Sequence, residues 1–360
     1  GTIILDNLRL RSYEQTYVPD DNFEQALIDQ GYDDVLDDYV LTSNISSVDG
    51  LEINILGISD LTGIEDFSAL ENLGAYGNQL TSVDLSNNTA LRVLALSDNQ
   101  LTSLDISNNL ALEELLLQNN PMTTLDVTSN INLRHLNVMS NSLAGLDVTN
   151  NVNLTHLFLG GGSQSQISNL DLTNNSLLEH LNVQDMQSLT SLDLSANNSL
   201  SNLAVNNSGI TTLDLSNHPS LKNLSCGDND LSSLNISGAT SLEEIHCNTA
   251  KSNTLTTLDL STNTGLRVVN LNGNQLTGLD LSSNTLLTAL SVRNNQLSSI
   301  DLSNNIDLTE LSLEGNLFNS IDISNNVNLN SLGLNYNQLT SLDIGNNVNL
   351  STLEAQSNNI

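Results

Sequence analysis

The chain has 360 residues and carries 41 acidic against 8 basic side chains, a formal charge of −33. Such a charge repels phosphate backbones and disfavours anionic membranes, so nucleic acid and membrane insertion are not expected among its interactions. Aromatic residues make up 3% of the chain, Trp is absent and no apolar run approaches the length of a spanning helix, so stability has to come from Leu, Ile and Val.

Residues 1–18 alternate well enough to predict a strand around Ile4 to Leu10. They read as an N-terminal strand and linker, a remnant of a preceding domain. Residues 19–69 read as an N-terminal cap followed by an irregular first repeat. In DNFEQALIDQG, Asp21 and Glu24 form a capping-box-like pair, Phe23 and Leu27 share a face and Gly31 supplies the stop, which predicts a short helix covering the first apolar edge. The run Asp33, Asp34, Asp37 and Asp38 lacks the glycine and closing glutamate of an EF-hand and reads as a solvated acidic surface.

From Leu70 to Ile360 one unit recurs. In LRVLALSDNQLTSLDISNNLA, Leu91, Leu94, Leu96 and Asn99 follow L-x-x-L-x-L-x-x-N, and Leu101, Leu104, Ile106 and Asn109 follow it again ten residues later. Copies begin at Leu70, Leu91, Leu112 and so on to Leu350, fourteen in all, with the last truncated and a basic period of 21 residues. A fixed period of this size marks a solenoid, whose coils bury their apolar sides only by stacking. Each L-x-L predicts a short strand, so the expected fold is a mostly β, right-handed solenoid of the α/β leucine-rich-repeat class with two parallel sheets and a short N-terminal helical cap. Three coils carry longer turns, after Leu154, Leu178 and Leu242, and there the ninth-position asparagine is replaced by Gly162, Met186 and Ala250. These turns are expected along one edge, a common place for binding elements.

The nested unit resembles the IRREKO class of leucine-rich repeat. Residues 18–73 look like the cap and first repeat of secreted leucine-rich-repeat proteins from Bacteroidetes-type bacteria. The resemblance implies a secreted or cell-surface interaction module, and it brings no catalytic residues to carry over.

Several rows of side chains are candidates for function. The ninth-position asparagines are read as structural, because Asn tolerates left-handed backbone and bonds nearby amides. Aspartates such as Asp105, Asp126 and Asp147 recur between two core residues and should repel along the stack; Ser and Thr two residues on are expected to hold them, with bridging calcium as the alternative. No other cofactor is expected. Cys226 and Cys247 fall at core positions of adjacent coils and read as small buried apolar residues, although adjacency leaves a disulfide open. His135, His156 and His180 share one outward position in three successive coils, with Leu116, Met139, Phe158 and Gln184 nearby, whereas most other coils carry Asn, Ser, Gly or Ala there. A ladder of parallel histidines does not converge on a metal, so these seven residues are read as a ligand-binding face. No nucleophile, base and stabiliser converge, so the chain is not expected to be an enzyme. The expected function is recognition of a protein or polysaccharide partner, with a structural spacer or a targeting module of a larger secreted polysaccharide-degrading or adhesive protein as the alternative.

Overall fold

The computed structural model describes residues 14–161, 165–250 and 254–360. The expected strand around Ile4 to Leu10, and parts of the turns after Leu154 and Leu242, lie outside the described residues. The chain is a mostly β parallel solenoid of about fourteen turns with few helices. It comprises two compact units, Gly1–Asn132 and Leu133–Ile360, with the boundary inside the repeat array.

The first unit begins with a hairpin in which Gln15–Tyr17 pairs antiparallel with Tyr39–Leu41. Between these strands runs the helix Asp21–Asp29. Its N-cap is Asp20, not Asp21: Asp20 Oδ1 accepts the N–H groups of Asn22 and Phe23, and Oδ2 accepts the Ser59 N–H, the Ser59 hydroxyl and the Asp60 N–H. One carboxylate thus caps the helix and ties it to the first coil, which Asp21, one residue inside, could not do. Gly31, at φ +80°, ends the helix as expected. Phe23 stacks on Phe67 at 6.4 Å, and Phe23, Ala26 and Leu27 are buried, so the apolar stripe closes the core edge.

Every coil then contributes one three-residue strand. In the first unit Gly50–Glu52, Asn72–Gly74, Val93–Ala95 and Glu114–Leu116 pair parallel and in register. In the second, the same arrangement runs from His135–Asn137 to Thr352–Glu354. The middle residue of each strand but the last, such as Leu94, Leu157 or Leu290, is buried in the core, whereas Leu353 of Thr352–Glu354 is exposed. Cys226 and Cys247 are core rungs, buried and unbridged, and the Cys247 thiol donates to Cys226 O at 3.5 Å.

The second half-template is less buried than the first, with Leu125, Leu146 and Ile300 only half-buried at its middle position, and among the described residues the second sheet expected there forms only where Thr212–Asp214 pairs with Ser233–Asn235. Charge and sterics account for the exception. Elsewhere these rungs bring aspartates side by side, whereas Asn235 presents a neutral amide that bonds Asp214. A Cβ on Gly238 would collide with Ser216 O, so glycine is what allows the close approach.

Two rows of buried asparagine amides satisfy the turns. Asn99 Nδ2 donates to Ala75 O and Leu96 O, while its Oδ1 accepts the Leu80 N–H, and Asn120, Asn295 and Asn316 repeat the pattern. The second row stands at the ninth position of the second half-template. Asn305 is fully buried and donates to Leu281 O at 3.2 Å and Asn284 O at 2.8 Å, and Asn88, Asn109, Asn263, Asn284 and Asn326 occupy the equivalent place. This row is interrupted at His218 and Ala239, both buried. His218 has both ring nitrogens buried without a hydrogen-bond partner, and burial lowers its pKa below the ordinary imidazole value.

Two outcomes follow. Asn305→Ala strips two carbonyls of their donor and is expected to cost about 1–3 kcal/mol in urea unfolding. His218→Asn is expected to gain stability over the parent as the pH falls below the ordinary histidine value, because the native state disfavours the proton that the unfolded chain takes up. Urea midpoints at two pH values, near 7.5 and near 5.5, check the sign.

Candidate recognition face

Six of the seven residues expected at a ligand face lie in the unit Leu133–Ile360. Leu116 belongs to the other unit, where it is a half-buried outward residue of Glu114–Leu116. In the second unit the parallel register sets His135 opposite His156, and His156 opposite His180, while Asn137, Phe158 and Asn182 form the neighbouring row. The three imidazoles make a column: centroids lie 5.2 Å apart from His135 to His156 and 4.4 Å from His156 to His180, the latter pair inclined by only 18°. Phe158 meets His135 edge-on at 5.5 Å and His156 at 6.1 Å. His156 and Phe158, expected to be fully exposed, are therefore half-buried, because in-register rings cover one another's faces.

Met139 and Gln184 flank the column and are also half-buried. A Cβ on Gly160 would strike the Gln184 backbone, and the Gly161 N–H donates to Gln184 O, so the start of the inserted turn is seated against Gln184. Asn137 Oδ1 accepts the Met139 N–H and Asn182 Oδ1 accepts the Gln184 N–H, which orients each amide.

Hydrogen bonds orient two of the rings. Asn223 Nδ2 donates to Asn202 Oδ1 at 2.8 Å, so Asn202 presents its Nδ2 to His180 Nδ1 at 2.9 Å. That nitrogen accepts, and His180 carries its proton on Nε2. The Thr155 hydroxyl lies 3.1 Å from Arg134 O, which also accepts the Thr155 and His156 N–H groups, and 2.9 Å from His156 Nδ1. Two stacked neighbours are thus held by different polar partners, an asparagine amide at His180 and a threonine hydroxyl at His156. Burial, and secondarily the charge that His156 can carry, lower the His180 pKa against the opposing influence of Glu179. Sequence reasoning missed Thr155, Asn202 and Asn223, whose role depends on cross-strand register.

The aspartate row lies elsewhere on the coils, and its shallow grooves run between rungs such as Asp280 and Asp301. Each carboxylate is held locally: Asp105 Oδ1 accepts the Ser107 N–H, and Asp126 and Asp147 accept both the N–H and the hydroxyl of Thr128 and Thr149. These bonds lower the Asp105 and Asp126 pKa below the ordinary aspartate value, led by the Ser107 N–H for the first and the Thr128 hydroxyl for the second. Among the described residues no three His, Cys, Asp or Glu side chains already converge as metal ligands. Depressed carboxyl values imply stability that is present above the unfolded value and lost as the pH falls through the folded one. Asp126→Asn is therefore expected to flatten the acid limb of the unfolding profile below about pH 4, which a pH series of thermal midpoints checks.

No protein-family profile and no curated protein matches the chain. Solved structures do. The functional domain of InlJ from Listeria monocytogenes, described as including a cysteine ladder, is 31% identical with a TM-score of 0.86, over 94% of this chain and 75% of that one. YopM from Yersinia enterocolitica is 26% identical with a TM-score of 0.70, over 86% and 65%. The leucine-rich-repeat protein LIC12759 of Leptospira interrogans, at 22% identity and a TM-score of 0.73 over 89% and 92%, shares the fold. With the repeat read from the residues, the solenoid seen in the coordinates and a relative of this identity and coverage, the chain belongs to the bacterial leucine-rich-repeat proteins.

Proposed function

We propose that this chain is a non-catalytic, extracellular or cell-surface recognition module that grips a protein partner through the column His135, His156 and His180 with Phe158. The observation that carries the reading is the stacked pair His156 and His180, 4.4 Å apart by centroid, with Phe158 alongside and the His180 Nε2–H left to donate because its Nδ1 accepts from Asn202. A peptide carbonyl, or an Asn or Gln side-chain oxygen, offers the complementary acceptor. Phe158 and Met139 add apolar area beside the polar pair, the mixture found in the core of protein interfaces. The acidic remainder of the surface favours a partner of basic character and speeds encounter with it. No helix among the described residues is long and apolar enough to cross a membrane.

Asn202 and Asn223, at the equivalent strand positions of the next two coils, show that the sheet accepts asparagine there. His156→Asn with His180→Asn is thus expected to keep the unfolding midpoint while reducing partner affinity about tenfold or more. The measurement is capture from cell-surface extracts on the immobilised chain, followed by affinity determination for each protein retained. Equal retention of every protein by parent and variant would replace this reading with that of a spacer.

A further inference from the structure

The cap holds a buried charge that the fold does not satisfy. Glu24, in the helix Asp21–Asp29, has no exposed surface. Its Oε1 accepts the Asp37 N–H at 2.8 Å and the Tyr39 N–H at 3.2 Å, so the carboxylate points away from the core and into the turn of residues 31–38. Its Oε2 is buried and has no partner. From the turn side Asp33 answers with the same defect: the Asp34 N–H serves its carboxylate, and Oδ2 is buried without a partner. Burial raises the Asp33 pKa against the pull of the Asp34 N–H, and Glu24 leads the charges that add to it, ahead of Asp34 and Asp37. A buried carboxylate oxygen without a donor is costly, and here helix and turn hold one each.

Among the described residues no cationic side chain is placed to relieve them. Arg92 is the only Lys or Arg among the described residues of the first unit, which holds no His, and it is engaged by Glu71 and Glu113. We propose that the turn of residues 31–38 and the helix Asp21–Asp29 together bind one calcium ion, with Glu24 Oε2 and Asp33 Oδ2 as its anionic ligands. Two carboxylates are too few for a complete shell, so loop carbonyl oxygens and water complete the six to eight oxygens that calcium takes. Asp34, Asp37 and Asp38, all exposed, add attraction at longer range. Calcium suits the site better than magnesium because it tolerates irregular oxygen shells, and better than a shared proton because one proton neutralises a single charge among five acidic residues. Bound calcium would fix the turn against the helix and hold the cap on the first coil.

The test uses the full chain. Tyr32, within the turn, and Tyr39, just beyond it, can sensitise terbium, and the chain has no Trp to confuse the excitation. Terbium luminescence excited through tyrosine is expected to rise along a one-site curve and to be displaced by calcium. Calcium at about 5 mM is expected to raise the thermal midpoint by several degrees over a chelator. Glu24→Gln and Asp33→Asn should each lose both responses while remaining folded in chelator, with midpoints at or above that of the parent, since each removes an unsatisfied charge. Asp105→Asn with Asp126→Asn should keep both responses, which separates the cap from the aspartate row. The proposal is overturned if Glu24→Gln retains the luminescence, or if calcium leaves the parent midpoint unmoved. It is also overturned if the calcium response disappears with the Asp105 and Asp126 changes alone. A parent that ignores calcium but gains stability as the pH falls from about 7 to about 5 assigns the pair to a shared proton instead.

Discussion

A stack of short coils has to satisfy the backbone of its turns, and that constraint governs the rest of this structure. Three residues of each coil pair in the long ladder, and the remainder bend around a core too narrow to admit much water. The buried asparagine amide answers the problem because it carries two N–H donors and an acceptor on one short side chain. In the first row the same amide binds a carbonyl of its own coil, a carbonyl of the coil before and an N–H of that coil. Aspartate could offer no donor and serine only one. Where Ser208 takes the place of asparagine, its hydroxyl reaches Val183 O but has no second hydrogen for another carbonyl.

The same in-register stacking that makes amide rows favourable makes carboxylate rows unfavourable, and the one-sided sheet follows. Each aspartate is served by the residue two positions on, a bond that settles its own turn without drawing neighbouring rungs together. Repulsion along the row therefore persists, and the rungs zip into a sheet only where Asn235 replaces an acid and Gly238 removes a Cβ.

The repeat, the core leucines, the ninth-position asparagines and the fate of the two cysteines were legible because each is a matter of period. The second asparagine row is also a matter of period, since Asn109 and its equivalents stand at the ninth position of the second half-template while the other member of each Asn-Asn pair is plain surface: Asn87 is exposed and Asn88 fully buried. What period does not show is that these amides serve two carbonyls of the preceding coil. The N-cap moved from Asp21 to Asp20 because contacts distant in sequence decide it. Either aspartate satisfies the local rule, and the choice is made by Ser59 and Asp60, about forty residues on. Glu24 read as the capping-box partner of Asp21, yet it is buried and accepts the N–H groups of Asp37 and Tyr39 instead, because the turn of residues 31–38 folds over it.

At the candidate face the alignment of three histidines was legible and their chemistry was not. Spacing places His135, His156 and His180 in one row, but whether a ring donates or accepts is set by neighbours that the repeat does not specify. Thr155 is adjacent in sequence to His156, whereas Asn202 reaches His180 across the strand register and is itself oriented by Asn223 one coil further on. A regular array thus acquires an asymmetric feature without any departure from its backbone: identical side chains in identical positions meet different hydrogen-bond partners because their flanking polar residues differ. Parallel stacking supplies the spacing and the rigidity, and the choice of a threonine or an asparagine at the edge of a ring supplies the polarity that a partner can read.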